Sequence, residues 1–419
     1  MSDLFILAGL RTPFTRMGTD LAALTADDLG RHVCSALLTR TEIDPGELSE
    51  VIFGCVAQPA EAANVARVIA LRAGVPNEVP AVTVHRNCAS GMEAITTAHQ
   101  RMMAGLGDLF LVGGAESMSR IPLFYSHKTS EKFGRLARAK SLPKKLSALA
   151  SFRPRDFSPR IGLQLGLTDP VSGMIMGDTA ELLAREYGIT REMQDAFAAE
   201  SHLKALAARE QLNAEIAPVP VHGKSIASDN GLRDDSTPER LARLRPIFDR
   251  KTGSVTAGNS SQITDGAVAL LVGSEDAAKR LGLEPLGRLV SYAYAGCDPA
   301  RMGLGPVNAM ALAKARCGLG PEDADLVELN EAFAAQVLAV LAALRDPGRC
   351  GLEGSPGVIE EEQLNRRGGS IALGHPVGAT GARLVLTALD QLRQTGGRRA
   401  LATLCVGGGQ GAALWLERL

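Results

Sequence analysis

Residues 81–95 read AVTVHRNCASGMEAI, and that stretch decides how the chain folds. The β-branched run AVTV is a strand, SGMEAI opens a segment with apolar residues at helical spacing, and Cys88 stands at the corner between them. A sulfur at a helix N-terminus meets unpaired N–H groups and the positive end of the helix dipole, which favour the nucleophilic thiolate. Taken alone, a cysteine there is more often a small buried hydrophobe. Two later segments change its weight: GHPVGATG at 374–381 supplies His375, and CVGGGQG at 405–411 supplies Cys405 in a glycine nest.

The strand–helix alternation extends in both directions. Upstream come LFILAGL, a helix near 26–40, VIFGCV and a helix near 64–73; downstream the Cys88 helix runs to about Ala104 and the strand LFLVGG follows at 109–114. A second round starts at LGRLVSYAYAG (286–296) and continues through a helix near 306–317, the strand DLVELN and a helix from Glu331 to about Leu344. It closes with GATGARLVLTALDQLR and the strands LATLCVG and AALWLERL. This is a βαβ rhythm given twice, an α/β protein of two pseudo-repeated halves with Cys88 at a corner of one and His375 at a corner of the other. Residues 1–117 with 251–275 form the first half and 276–419 the second. Residues 118–250, irregular apart from a helical stretch at 190–210, form an inserted loop domain.

A chain of 419 residues with 45% hydrophobic and 22% charged residues and a net charge of −1 has no overall field to recruit nucleic acid. Its seven cysteines are scattered, with no Cys-x-x-Cys pair, which argues for free thiols in a reducing compartment rather than zinc or iron–sulfur ligation. With neither a basic leader nor an apolar segment of membrane-spanning length, the chain reads as cytoplasmic and essentially complete. GGSIALGH lacks the Lys-Ser/Thr of a phosphate loop, and GGGQG lacks dinucleotide spacing. Charge is concentrated in one place: residues 126–160 carry ten Lys or Arg against Glu131 and Asp156, interleaved with Phe and Leu. That stretch is either a solvated basic lobe or an amphipathic docking surface for a membrane leaflet or an acidic partner.

Cys88, His375 and Cys405 together form a nucleophile, its base and a second acid/base. Imidazole accepts a thiol proton near neutrality, and the ion pair stabilises both members. A second thiol near the first can take a proton from carbon and return it, which serves a carbanion mechanism better than hydrolysis. Glycines 407, 408 and 409 leave N–H groups bare for an oxyanion.

Four ordered motifs, NCASG around Cys88, NEAFAAQ at 330–336, GGSIALGHPVGATGAR at 368–383 and CVGGGQG at 405–411, make the whole chain resemble the thiolase family of acyl-CoA acyltransferases. The resemblance implies a thiolase-like fold in α/β/α/β/α layers and a reversible reaction. A 3-ketoacyl-CoA is cleaved by CoA to acyl-CoA and acetyl-CoA, or two acetyl-CoA condense to acetoacetyl-CoA. It implies that Cys88 carries the acyl group as a thioester, that His375 activates it, and that Cys405 moves the proton on carbon. Asn330 would hold a water that, with His375, stabilises the enolate oxygen, and the N–H groups of Cys88 and Gly407 would form an oxyanion hole. Coenzyme A enters as substrate, with no permanent cofactor or metal. Ala257 and Ser261 would lie along its pantetheine arm, Met176 would line the tunnel to Cys88, Phe333 would pack beside the active site, and Arg233 would lie near the CoA adenine and phosphates.

The family also implies a homodimer or homotetramer of two-fold symmetry. The long basic section is more like the β-subunit type that joins a hydratase/dehydrogenase subunit, although that type often has His where this chain has Asn330. Two other readings stay open: a decarboxylating or synthase-type condensing enzyme, which generally lacks the second cysteine, and a catalytically silent scaffold subunit of the same fold.

Overall fold

The computed structural model describes residues 3–352 and 354–419. Its first half contains β1 (Leu4–Arg11), α1 (Ala26–Thr41), β2 (Glu50–Gly54), α2 (Val65–Arg72), β3 (Ala81–Val84), α3 (Ser90–Met103) and β4 (Leu109–Ser117). The chain then leaves the sheet for a long excursion that includes α4 (Met176–Tyr187) and α5 (Arg191–Ala207), and returns as β5 (Thr264–Gly273) between β4 and β1. The second half contains β6 (Gly287–Gly296), α6 (Gly305–Cys317), β7 (Leu326–Leu329), α7 (Ala334–Arg345), α8 (Val377–Thr395), β8 (Arg399–Val406) and β9 (Gln410–Glu417).

The two halves have the same wiring. In the first, β2 runs parallel to β4, β4 antiparallel to β5, and β5 antiparallel to β1. In the second, β7 runs parallel to β8, β8 antiparallel to β9, and β9 antiparallel to β6. The halves join where β1 and β6 pair antiparallel, at Leu4↔Leu289, Phe5↔Arg288 and Ile6↔Gly287.

Period-two alternation sends neighbouring side chains of β1 to opposite faces, so Phe5 and Leu7 enter the core under α1 and α2 while Leu4 and Ile6 enter a central core. That central core holds α3 and α8, with Val112 and Leu270 of the first half on one side and Leu404 and Leu414 of the second on the other. α6 and α7 cover the remaining face over Leu401, Ala413 and Trp415. The result is the expected α/β/α/β/α layering. The central helices touch backbone to backbone: a Cβ on Gly91 would stand 2.6 Å from the Ala382 nitrogen, and one on Gly381 would stand 2.7 Å from that of Met92.

Two features depart from the sequence reading. β5, buried along its whole length, is a central strand that the repeat rhythm leaves out; burial on both faces erases the alternation that marks a strand. α7 begins at Ala334 rather than Glu331, because residues 330–333 are committed elsewhere. Glu331 accepts bonds from Ser201 Oγ (2.6 Å) and Asn365 Nδ2 (2.9 Å), and the Ala332 carbonyl accepts from the Ser261 N–H (2.9 Å).

The chain divides into a main unit, residues 3–120 with Asp169–Leu419, and a lobe, Ile121–Thr168, narrower than the 118–250 insertion. The lobe has two helices, His127–Arg138 and Leu142–Ala150, and a small, partly exposed cluster of aromatic rings. The ring of Phe133 lies 5.5 Å from Tyr125 and 4.9 Å from Phe152. Among the described residues no helix is long and apolar enough to cross a membrane.

Candidate active site

Cys88 sits in the turn between β3 and α3, and hydrogen bonds close that turn. Ser90 Oγ donates to the Asn87 carbonyl (2.6 Å) and accepts from the Arg86 N–H (2.9 Å). Asn87 adopts φ +43°, a left-handed conformation that asparagine tolerates better than most residues. Its Nδ2 donates to the Gly407 carbonyl at 2.6 Å, tying the turn to the β8–β9 hairpin. Arg86 adds two more ties: Nη1 donates to Gln410 Oε1 (3.1 Å), and the guanidinium lies 4.1 Å from the centre of the Tyr294 ring. Cys88 and the hairpin carrying Cys405 therefore move as one piece.

Backbone hydrogen bonding from the N–H groups of Gly407 and of Cys88 itself favours the Cys88 thiolate. Burial pushes that thiol up to about 11, the two N–H groups pull it down, and the Glu116 carboxylate adds to the rise. Cys405 is buried near the end of β8. Its thiol is held well above the ordinary range by burial, with Cys88 and Cys297 as further causes.

His375 is held at the matching corner of the second half. Its N–H lies 3.2 Å from both the Gln262 carbonyl and Thr264 Oγ1, and Gly374 precedes it at φ +101°, where a Cβ would stand 2.3 Å from Thr264 Oγ1. Its Nδ1 lies 2.7 Å from Thr380 Oγ1, and the one hydroxyl proton of Thr380 goes to the Pro376 carbonyl (3.1 Å). Thr380 must then accept from Nδ1–H, which assigns the tautomer and leaves the Nε2 lone pair free as a base. Nε2 is buried without a hydrogen-bond partner among the described residues. Burial, helped by the Arg383 guanidinium, lowers His375 to about 4. The resting pair is therefore neutral thiol and neutral imidazole.

Asn330 ends β7. Its Oδ1 accepts from Ser370 Oγ at 2.6 Å, and its Nδ2 is a buried donor with no partner among the described residues. The two corners meet through the central helices: a Cβ on Gly91, three residues past Cys88, would lie 3.2 Å from the carbonyl of Gly378, three residues past His375.

The remaining candidates divide. Met176 opens α4 and borders the nest, its sulfur 3.4 Å from where a Cβ on Gly407 would stand. The Ser261 N–H donates to the Ala332 carbonyl, its neighbour Ser260 bridges to the buried Phe333, and Ala257 is exposed on the same loop. Arg233 lies apart from them: its side chain is exposed, and its N–H meets His202 Nδ1 at 3.3 Å.

Glu116 escaped the sequence reading. Fully buried at the end of β4, it accepts from the N–H groups of Val56 (3.1 Å), Ala57 (2.9 Å) and Gly378 (2.9 Å). It thereby caps α8, whose own N-cap residue Pro376 makes no side-chain cap bond. The only hint in the sequence is a carboxylate closing an otherwise apolar strand run.

Residues 4–276 match the family described as thiolase, N-terminal domain, and residues 283–418 match thiolase, C-terminal domain. The chain belongs to the thiolase family. The boundary between the two matches falls between β5 and β6, where the second repeat of this thiolase begins. A 3-ketoacyl-CoA thiolase of Pectobacterium atrosepticum is 42% identical over 420 residues, covering 98% of this chain and 95% of its own length. One from Serratia proteamaculans is 41% identical over 421 residues, covering 98% of this chain and 96% of its own. The structure of human mitochondrial 3-ketoacyl-CoA thiolase in complex with CoA matches with a TM-score of 0.87 and 35% identity, covering 100% of this thiolase and 98% of its own chain. A Bacillus anthracis acetyl-CoA acetyltransferase matches with a TM-score of 0.86 and 37% identity, covering 100% and 99%. This thiolase is an acyltransferase enzyme.

Proposed function

We propose that this thiolase reversibly cleaves a 3-ketoacyl-CoA with CoA, through an acyl-thioester on Cys88. The observation that carries this reading is the coupling of one thiol, a glycine nest bonded at 2.6 Å to the turn that holds it, and a second thiol on the same hairpin. His375 Nε2 takes the Cys88 proton, and the thiolate attacks the 3-keto carbon. The bond between C2 and C3 breaks, leaving the acyl group on Cys88 with its carbonyl oxygen at the N–H groups of Cys88 and Gly407. The electron pair leaves as the acetyl-CoA enolate, whose oxygen is held by imidazolium Nε2–H and by a water on Asn330. The Cys405 thiol protonates the enolate carbon. Its thiolate then deprotonates incoming CoA, CoA attacks the Cys88 thioester, and the departing Cys88 sulfur recovers its proton from His375.

Condensation runs the same steps backwards, with Cys405 removing the proton from acetyl-CoA. Met176, Ala257, Ser261 and Phe333 contact the pantetheine arm in this reading, and Arg233 is the outer CoA contact. The assembly is a homodimer of two-fold symmetry or a pair of such dimers, checked by sedimentation.

The test is to mix the protein with acetoacetyl-CoA and CoA. Acetyl-CoA should form, and an acyl group should be trappable on Cys88 after acid quench. Cys405→Ala should still acquire the acyl group from acetyl-CoA while losing condensation. An active Cys88→Ala variant would refute the reading.

A further inference from the structure

Arg86 stands two residues before Cys88, spans three elements and takes no part in the proposed steps. Its Nε donates to Glu93 Oε2 in the first turn of α3 (2.5 Å), its Nη1 donates to Gln410 Oε1 at the start of β9 (3.1 Å), and the guanidinium lies over the ring of Tyr294 on β6. Tyr294 is itself fixed to α3, because its hydroxyl lies 2.8 Å from Thr96 Oγ1, whose own proton goes to the Glu93 carbonyl (3.2 Å). With 29% of its side chain exposed, Arg86 is covered enough for these bonds to count for more than a surface ion pair. Pairing with Glu93 occupies only one edge of the guanidinium. The other edge crosses to the second half of the molecule.

The far end of that crossing matters because of where Gln410 stands in the hairpin. It pairs with Val406 of β8, on the rung beside Cys405↔Gly411, and on its other side with Gly296 of β6. Between Val406 and Gln410 the chain consists of three glycines, with Gly408 at φ +87° and Gly409 at φ +79°, so the tip has the widest backbone freedom a chain can have. Side chains must hold it in place. Two of them come from the Cys88 turn: Asn87 grips the Gly407 carbonyl, and Arg86 grips Gln410. These ties serve different tasks, since Gly407 supplies an N–H to the acyl oxygen in the proposed reaction and Gln410 is the rung beside the second thiol.

We propose that Arg86 is a positioning residue that, through Gln410, sets the reach of Cys405 towards the substrate carbon at Cys88. The proposal rests on the two-thiol reaction described above. Acylation of Cys88 uses His375 and the Gly407 N–H, which Asn87 continues to hold when Arg86 is lost. Proton transfer at carbon uses Cys405, and a displacement of about 1 Å there costs on the order of a hundredfold in rate.

The experiment compares the full chain with Arg86→Met, Gln410→Met, the double variant and Gln410→Glu. Two rates are read: single-turnover acylation of Cys88 by acetyl-CoA, from the mass of the acid-quenched protein, and steady-state condensation to acetoacetyl-CoA. Each single Met variant should acquire the acyl group within about threefold of the parent rate, while kcat for condensation falls about 10- to 100-fold at little-changed KM. The double variant should fall no further than the single ones, because both remove the same bond. Gln410→Glu keeps an acceptor for Arg86 and should condense at close to the parent rate. Unchanged condensation in the Met variants, acylation lost in parallel with condensation, or additive losses in the double variant would overturn the proposal. Should Arg86→Met fail to fold, the two Gln410 variants decide: loss with Met and retention with Glu supports the tie, and equal behaviour overturns it. A parent that never carries an acyl group on Cys88 would overturn the reaction itself and this proposal with it, whereas an acylating parent whose variants show no split overturns this proposal alone.

Discussion

At the scale of single residues, Cys88 and His375 stood out in the sequence because cysteine and histidine announce their chemistry at strand–helix corners, and Cys405 because it opens a glycine run. What prepares them did not. Thr380 is an ordinary helix threonine in sequence, and only its bond to the Pro376 carbonyl shows that it must accept from His375. Thr380→Val should therefore free the imidazole to adopt the wrong tautomer. We expect kcat/KM to fall about 10- to 100-fold, the equivalent of one buried hydrogen bond, with Thr380→Ser restoring most of it. The pH profile follows from His375 being lowered from 6.5 to about 4. The free base persists well below neutrality, so the acid limb of kcat/KM should lie near 4 to 5, and a limb at 6.5 would contradict the burial of the imidazole. The folded chain binds fewer protons at this site than the unfolded chain between those values. His375 thus contributes stability that is present above 6.5 and lost as pH falls towards 4.

At the scale of elements, the rhythm of strands and helices was readable because amphipathic periodicity survives wherever one face stays out of the core. It failed at β5, buried on both faces, and at the start of α7, where the Glu331 carboxylate outcompetes helix formation. The α3–α8 contact was equally invisible, since a glycine in a helix carries no sign of what approaches it. Gly381→Ala should push apart the helices that follow Cys88 and His375. We expect a loss of about 1 to 3 kcal/mol in unfolding free energy together with a fall in kcat, measured by denaturant titration and steady-state thiolysis. Glu116, which caps α8, makes a different forecast. Burial raises it from 4.5 to about 7, against the pull of three N–H donors, so the folded chain binds more protons there than the unfolded chain over that window. Its contribution is fully present below 4.5 and declines as pH rises through 7, by up to about 3 kcal/mol. Glu116→Gln lacks that term, so the Tm of the parent should fall relative to that of the variant from pH 5 to pH 8. A constant difference would show that the carboxylate does not titrate in the folded protein.

At the scale of the whole molecule, the pseudo-repeat makes the two halves interdependent, because strands of both line the one central core that contains α3 and α8. Neither half can bury that face alone, and heat should melt the main unit in a single transition. The lobe Ile121–Thr168 obeys a different rule. The cores of the main unit are built from its own residues, and the lobe has its own partly exposed aromatic cluster. Trypsin cuts after exposed Lys and Arg, and Lys140, Lys144 and Lys145 lie exposed between and on the two short lobe helices. Limited proteolysis should therefore nick the lobe first, while the main unit keeps its Tm and its thiolysis of acetoacetyl-CoA. Activity that decays in step with cleavage after Lys140–Lys145 would show instead that the catalytic corners depend on an intact lobe.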